Sequence, residues 1–374
     1  MDSLLLYLPK KRVLVFFLAA IPLALVLLLQ ARPPAPMQYS SCTAGAALAP
    51  FRRPTQVFFP VPPAPPRAGT GLSPQCRRAF QTLELPAAAV AWPPPCPPPA
   101  HLVAAYERHG MPISRNWCFA QRYEGEGEYT LNWKEDYVVN YCADVSSGVS
   151  AGSYSTDVVG QVRHALQVMA LRLGAAPTLD GTVGLVMGSE RPWLECLALN
   201  MDADTVWTWE YGRVVSTHPR LKAKPYKAMA ADFASGALAP FDWVASFSSL
   251  EHSGLGRYGD ALNPEGDAEA LQQALCMLKP GGVLLLGLPS VCRATGFIEF
   301  NAHRVYGYER LAYIARDFEL IGFTDACGAF SEHAGRIVLL RKPLAEGAHA
   351  ALTVAALAEA SEAPLQSQCY AGTG

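Results

Sequence analysis

The segment FDWVASFSSLEHSGLGRYGD, Phe241 to Asp260, passes abruptly from apolar residues to a crowd of ionisable ones. Glu251, His252, Arg257, Tyr258 and Asp260 are spaced there by Gly254, Gly256 and Gly259. A histidine of ordinary pKa can take a proton near neutrality, and the adjacent carboxylate can orient it or act as the base itself. Asn301, His303, Arg304 and Tyr306, in FNAHRVYG, follow a later apolar run and are expected on the same rim. The two histidines with Glu251 and Asp260 could alternatively ligate a divalent ion. No helical HxxxH-type spacing fixes such ligands, so no metal is expected.

A second group of residues has the spacing of a nucleoside site. Gly188, Ser189 and Glu190 follow the apolar run GTVGLVMG, and Glu210 ends the next one, TVWTWEY up to its last residue. A glycine turn lets a ligand approach the backbone, and a carboxylate about 20 residues on can accept hydrogen bonds from ribose hydroxyls. The fuller GxGxxG pattern, which a pyrophosphate requires, is missing, so the spacing favours a nucleoside without phosphate. Asp232 is expected after a third strand, where it would meet the exocyclic amine of an adenine.

These residues need strand ends to hold them. Val158, Val159, Val162, Leu166, Met169 and Leu173 fall three and four apart, the stripe of a helix that Ser155 or Thr156 could cap. Strands are then expected at Gly181–Gly188, Thr205–Tyr211, Tyr226–Ala230, Phe241–Phe247 and Val283–Leu288, with a helix face at Ala268, Leu271, Leu275 and Leu278 ended by Pro280, Gly281 and Gly282. Two last strands, near Glu319–Ala326 and Arg336–Arg341, suit an antiparallel pair at one edge. Alternating strands and helices imply an α/β fold, doubly wound around a mostly parallel sheet with right-handed crossovers. Ligands of such sheets lie beyond the carboxyl ends of the strands.

The motifs MGSERPW, WEY, SSLEHSGLGRYGD, LKPGG and FNAHRVYG, in this order, resemble the uncharacterised family catalogued as domain of unknown function 268, itself similar to class I S-adenosylmethionine-dependent methyltransferases. The resemblance covers roughly Gly152 to Lys342; SLEHSGLGRYGD and FNAHRVYG are its specific motifs, whereas LKPGG before a strand is widespread among methyltransferases. It implies a seven-strand, Rossmann-like methyltransferase sheet with S-adenosylmethionine across Gly188, Ser189, Glu190, Glu210 and Asp232. Glu251 and His252 would then sit at the transfer centre, with Asn301 and His303 positioning an acceptor hydroxyl. The chain departs from the methyltransferase pattern at Gly188, which lacks the usual cluster of glycines.

The front of the chain has a different composition. Lys10, Lys11 and Arg12 precede Val13 to Leu29, a run without charge that would span about 25 Å as a helix at ~1.5 Å per residue. Basic residues on the amino-terminal side keep that end cytoplasmic. The expectation is a single-pass type II signal anchor at 13–29 after a cytoplasmic tail at 1–12, with a cleaved signal peptide as the rival. Prolines crowd the segment 30–100, as in FFPVPPAPP and AWPPPCPPP, where neither helix nor central strand is expected to persist, so this reads as a stem. An ordered lead-in at 101–151, the methyltransferase-like domain at 152–343 and an alanine-rich tail at 344–374 complete the layout. The short apolar run favours endoplasmic reticulum or Golgi, with the large domain lumenal.

Composition adds limits. Of 374 residues 51% are hydrophobic, ample for a core, and 30 basic against 32 acidic residues leave no electrostatic footprint for nucleic acid. No CxxC pair occurs among the 10 cysteines, and Cys42, Cys76, Cys96, Cys118 and Cys142 are the disulfide candidates of a lumenal chain. The combined expectation is a membrane-anchored enzyme that methylates a hydroxyl, on a lumenal glycan or another acceptor. A non-catalytic binding protein of the same fold is one alternative. A lumenal glycosyltransferase is another, because Asp202-Ala203-Asp204 has the DxD form.

Overall fold

A computed structural model of the chain describes residues 73–81, 93–119, 130–148, 154–174, 177–325, 335–345 and 351–365. Every described residue lies in one compact unit, 67–374. The expected anchor at 13–29 and its cytoplasmic tail lie outside the described residues. Among those described, no helix is long and apolar enough to cross a membrane.

The elements before the main sheet begin inside the proline-rich stretch. There α1 (Pro74–Gln81) corrects the expectation that no helix persists. Pro74 opens it at the first helical position, where the missing N–H is no loss, and no proline interrupts QCRRAFQ. The lead-in holds α2 (Ala100–Tyr106), β1 (Ile113–Asn116), β2 (Thr130–Trp133) and α3 (Glu135–Ser147). Its strands gave no periodic signal because they are four residues each and pair with distant segments. The helical stripe is α4 (Thr156–Arg172), capped by Ser155, whose hydroxyl accepts from the Val158 N–H at 3.4 Å.

Strands and helices then alternate: β3 (Val183–Met187), α5 (Trp193–Leu199), β4 (Thr205–Glu210), β5 (Arg213–Ser216), β6 (Leu221–Pro225), α6 (Tyr226–Ala234) and β7 (Phe241–Phe247). A short 3-10 turn, Leu250–His252, leads through the glycine loop to α7 (Gly266–Met277) and β8 (Leu278–Pro289). Next come β9 (Phe297–Phe300), β10 (His303–Val305), α8 (Tyr308–Ile314), β11 (Glu319–Phe323), β12 (Gly335–Arg341) and α9 (Val354–Glu362).

Seven strands form one sheet in the order β11-β12-β8-β7-β3-β4-β6, and β12 runs against the others, so the sheet is mixed. The antiparallel pair expected from the last two strands is its edge. Side chains alternate between two apolar layers: Val186, Ala245 and Leu285 face α4 and α5, while Leu185, Val244, Leu284 and Leu286 face α7 and α8. Burial on both faces is why these strands read as unbroken apolar runs. The alanine-rich tail contributes α9, which packs Leu357 into the second layer and bonds Ser361 Oγ to Tyr308 Oη at 2.7 Å.

Two boundaries differ from expectation. The third strand is Leu221–Pro225, and Tyr226–Ala230 begins α6 instead. Pro225 can end a strand and introduce a helix, and KAMAAD after Tyr226 carries good helix formers. β8 starts at Leu278, which pairs with Phe241 before the register shifts and Gly281, at φ +77°, turns the chain.

Candidate functional site

From β3 the chain proceeds to β4 and β6 on one side of the sheet, then returns to β7 and β8 on the other. β3 and β7 therefore border the topological switch point, where a crevice opens beyond the carboxyl ends. A cavity of about 410 Å³ lies there, within the range of small-molecule sites. Gly188, Ser189, Glu190 and Glu210 line one side, and Ser248, His252, Arg257 and Tyr258 the other. Leu131 from β2 and Tyr154 from the segment before α4 complete the wall.

Gly188 is required twice over. Its φ is +80°, a left-handed conformation that disfavours a side chain, and a Cβ there would fall 1.8 Å from Ser249 Oγ. The glycine thus lets the loop after β7 close against the loop after β3. Glu210 closes the same turn from β4, accepting from the Ser189 N–H at 2.5 Å and the Tyr211 N–H at 2.8 Å. Burial raises its carboxyl above the ordinary range, and those backbone donors oppose the rise. With one bond on each oxygen, Glu210 keeps lone pairs for a ligand hydroxyl.

Behind this turn stands Glu195, which the sequence reading missed. It is fully buried on α5 and pushed up to about 7 by burial. Thr208 Oγ1 donates to it at 2.7 Å, and Ser189 Oγ lies 3.0 Å from its other oxygen. Ser189 Oγ also donates to Arg191 O at 2.8 Å. A hydroxyl has one proton, so Ser189 gives it to either Arg191 O or Glu195, and when Glu195 is protonated the carboxyl donates to Ser189 in turn.

A narrow annex of about 50 Å³ extends the crevice past Gly188 and Glu210, between Met187, Trp209, Tyr226 and Leu250. The buried Trp209 Nε1 has no hydrogen-bond partner among the described residues. Asp232, expected at this end, is elsewhere: it lies near the end of α6 with its carboxylate against Lys224. The shift of the third strand to Leu221–Pro225 moved it, and Tyr226 takes the position after the strand.

The opposite rim also corrects its expected geometry. His252 Nδ1 lies 2.5 Å from Ala302 O, so Nδ1 carries the proton and Nε2 is bare, 3.7 Å from Glu251 Oε1. Burial first, then the charges of Arg257 and Arg304 and the neighbouring His303, push His252 down to about 3 against its bond to Ala302. Its ordinary pKa, the reason for nominating it, is lost. Glu251 is 1% exposed and pushed up to about 7 by burial. Its Oε2 has no hydrogen-bond partner among the described residues.

Asn301 and His303 do not line the cavity. Asn301 is wholly buried with φ +62°, its Nδ2 at 3.4 Å from Leu255 O, and His303 Nε2 stands 3.6 Å from Glu299 Oε2. His303 begins β10 of the small sheet β1-β9-β10, and Asn301 lies in the turn between β9 and β10. Arg304 there is buried and donates to Ser253 O at 2.6 Å and more distantly to Glu251 O and Asn263 O, both at 3.4 Å. Asp267 anchors Arg304 and Arg310; burial would raise its carboxyl, but the two guanidinium groups hold it below the ordinary range. Asp260 staples the loop itself, accepting from the N–H groups of Gly254, Gly256 and Tyr258 at 2.7, 3.1 and 3.2 Å. Much of SLEHSGLGRYGD and FNAHRVYG therefore builds the loop's support.

Asp202 and Asp204 precede β4 and sit at the opposite end of the sheet from Glu210, about 20 Å away at ~3.3 Å per strand residue. Asp204 Oδ1 accepts from the Gly181 N–H at 3.1 Å, so it serves a turn remote from the cavity. Among the described residues, no group of three or more His, Cys, Asp or Glu side chains could hold a metal ion.

Comparison with known proteins gives one family and several distant structures. No curated protein matches the chain. Among solved structures it is similar to the 1,6-didemethyltoxoflavin-N1-methyltransferase of Burkholderia thailandensis with bound 1,6-didemethyltoxoflavin and S-adenosylhomocysteine, at 15% identity over 55% of this chain and 87% of that one, TM-score 0.36. The N-methyltransferase NodS of Bradyrhizobium japonicum in complex with S-adenosylhomocysteine gives 13% identity, 55% and 99% coverage and a TM-score of 0.34. TehB of Haemophilus influenzae gives 12% identity, 56% and 66% coverage and a TM-score of 0.34. Residues 181–341, from the turn before β3 to the end of β12, match the model of the family described as Caenorhabditis protein of unknown function, DUF268, the family that the motifs resemble.

Proposed function

We propose that this chain binds S-adenosylmethionine in the switch-point cavity and transfers its methyl group to an acceptor hydroxyl. The observation that carries the reading is Glu210, at the end of β4, facing the cavity across the glycine turn with an acceptor lone pair left on each oxygen. A ribose presents two neighbouring hydroxyls, and a carboxylate can accept both. The annex supplies apolar and aromatic walls for a planar base, and the partnerless Trp209 N–H offers it a donor. The residues present thus fit a nucleoside cofactor. When bound, that cofactor supplies an electrophilic methyl on a sulfonium. The chain's own part is to orient the ribose through Glu210, shield the centre with Tyr154 and Phe247, and take up the acceptor's proton.

A lumenal setting is part of the proposal, with the chain anchored at 13–29 in endoplasmic reticulum or Golgi and acting on a glycan or other hydroxyl compound. Disulfides Cys76–Cys276, Cys96–Cys118 and Cys142–Cys196 suit an oxidising compartment. Calorimetry of the full chain with S-adenosylmethionine, S-adenosylhomocysteine and a panel of sugar nucleotides tests the assignment. Saturable binding of the first two is expected, weakened by about 1–3 kcal/mol in Glu210→Gln. Binding of a sugar nucleotide alone would replace this reading with the glycosyltransferase one. S-adenosylmethionine binding unaffected by Glu210→Gln in folded protein would remove that carboxylate from the site.

A further inference from the structure

Ser189 is the joint of the loop after β3, because its bonds run both to the cavity side and to the core behind it. Its N–H holds Glu210 Oε2 at 2.5 Å, on the carboxylate that the ribose reading depends on. Its hydroxyl donates to Arg191 O at 2.8 Å and lies 3.0 Å from Glu195 Oε2. Ser189, Glu190 and Arg191 line the cavity, whereas Glu195 stands behind them on α5, wholly buried. Thr208 Oγ1 donates to the other oxygen of Glu195 at 2.7 Å, and no cation pairs with this carboxyl among the described residues.

When Glu195 is ionised, two acceptors face the single proton of the Ser189 hydroxyl. The buried carboxylate is the stronger of them, since a charge-assisted hydrogen bond is about twice as strong as a neutral one. It takes the proton, and Arg191 O keeps only the Trp193 N–H, at 2.7 Å. When Glu195 is protonated the conflict ends. The carboxyl donates to Ser189, Ser189 donates to Arg191 O, and all three groups are satisfied together.

We propose that a proton on Glu195 holds the loop 188–191 in the form that receives a nucleoside, which makes Glu195 a positioning residue of a cavity it does not line. The proposal rests on the nucleoside reading of the cavity and adds the condition under which that site is formed. The proton comes from solvent and returns to it. Because the coupling is reciprocal, a bound nucleoside must in turn favour the protonated carboxyl, so binding at alkaline pH takes up a proton.

The groups around Glu195 set the direction of the pH dependence. Burial raises its carboxyl to about 7 against Thr208, its own backbone N–H and Ser189, and the Glu210 charge at the end of β4 adds to the rise. Glu190 and Arg191 stand on the loop itself, and α3, packed against α5, carries Tyr137 and Tyr141. Glu210 is itself raised above the ordinary carboxylate range, and ribose hydroxyls favour its ionised form. Affinity should therefore climb at the acid end through Glu210 and fall at the alkaline end through Glu195.

Calorimetry of the full chain with S-adenosylhomocysteine across about pH 6 to 8.5, in buffers of different ionisation enthalpy, tests this. The Kd of the parent should rise about 2- to 10-fold at the alkaline end, the worth of one loop hydrogen bond. Glu195→Gln cannot ionise and can donate to Ser189 at every pH, so it should lack both the alkaline fall and the proton uptake. The ratio of parent to variant affinity at each pH cancels the titration of the ligand. A constant ratio, or equal proton uptake by both proteins, overturns the proposal and leaves the nucleoside reading standing. No binding to the parent at any pH removes that reading and this inference with it. If Glu195→Gln does not fold, Thr208→Val decides: its ionised carboxylate lacks a donor, so the alkaline fall should move to higher pH, and an unmoved fall overturns the proposal.

Discussion

Two buried glutamates flank the cavity, and burial pushes each up to about 7. Glu195 stands behind the loop after β3 with both carboxyl oxygens engaged, one by Thr208 and the other by Ser189. Glu251 stands behind the loop after β7 with one oxygen unengaged among the described residues. Equal burial therefore goes with different chemistry. A satisfied acid holds a turn in place, whereas one with an oxygen left without a partner can gain and lose a proton without dismantling its surroundings. A shifted pKa alone would not separate the two; the count of partners does.

The largest expected effect attacks the support of the Glu251 side alone. Arg304→Met leaves Asp267 short of a buried cation and frees the carbonyls of Glu251 and Ser253, and should cost about 3–5 kcal/mol in urea unfolding. S-adenosylhomocysteine contacts on the Glu210 side should survive in the fraction that remains folded. A loss under about 1 kcal/mol would mean that the buried network is not what holds the loop.

Next in size is the pH dependence of stability. Each glutamate binds its proton more tightly folded than unfolded, so its contribution is fully present below about pH 4.5 and is lost as pH rises through about 7. Relative to Glu195→Gln or Glu251→Gln, the parent should lose stability on the order of 3 kcal/mol per group between about pH 4.5 and 8, as the amide cannot ionise. Thermal unfolding at several pH values checks this. The two variants should behave alike in that measurement. A parent that gains stability toward pH 8 relative to both would contradict the sign.

The smallest expected effect concerns a residue placed outside the comparison. Asp232→Ala removes a half-exposed contact from α6 to Lys224 of β6 and should alter both stability and nucleoside affinity by less than about 0.5 kcal/mol. A tenfold loss of affinity in calorimetry would return Asp232 to the cofactor site.

How far the sequence was legible depended on how local each signal was. β3, β4 and β7 were readable because their residues are buried on both faces, and a run such as WVASF has few other readings. Gly188 and Glu210 followed from them as strand-end residues. β6 was not readable: LKAKP carries two lysines because it is an edge strand, so its apolar content fell below that of the helix after it. That single displacement carried Asp232 out of place. Glu195 was hidden because a glutamate among apolar residues on a short helix carries no pattern; its partners lie 6 and 13 residues away on other elements. Asn301 and His303 were assigned to the rim because they are polar residues after a strand. The three-stranded side sheet that turns them away depends on pairing β9 with β1, far earlier in the chain.

Cys76 and Cys276 are 200 residues apart and join α1 to α7. The covalent path from the proline-rich stretch into the folded body is consequently double: one route follows the chain, and the other crosses the sulfur bridge. A protease that cut anywhere between Gln81 and Pro93 would break only the first. Everything before the cut would stay attached until a reductant opened the second, so cleavage would register on a gel only after reduction. Release of the globular part by trimming at that place would thus require a thiol as well as a protease. Cutting before Cys76 would need the protease alone.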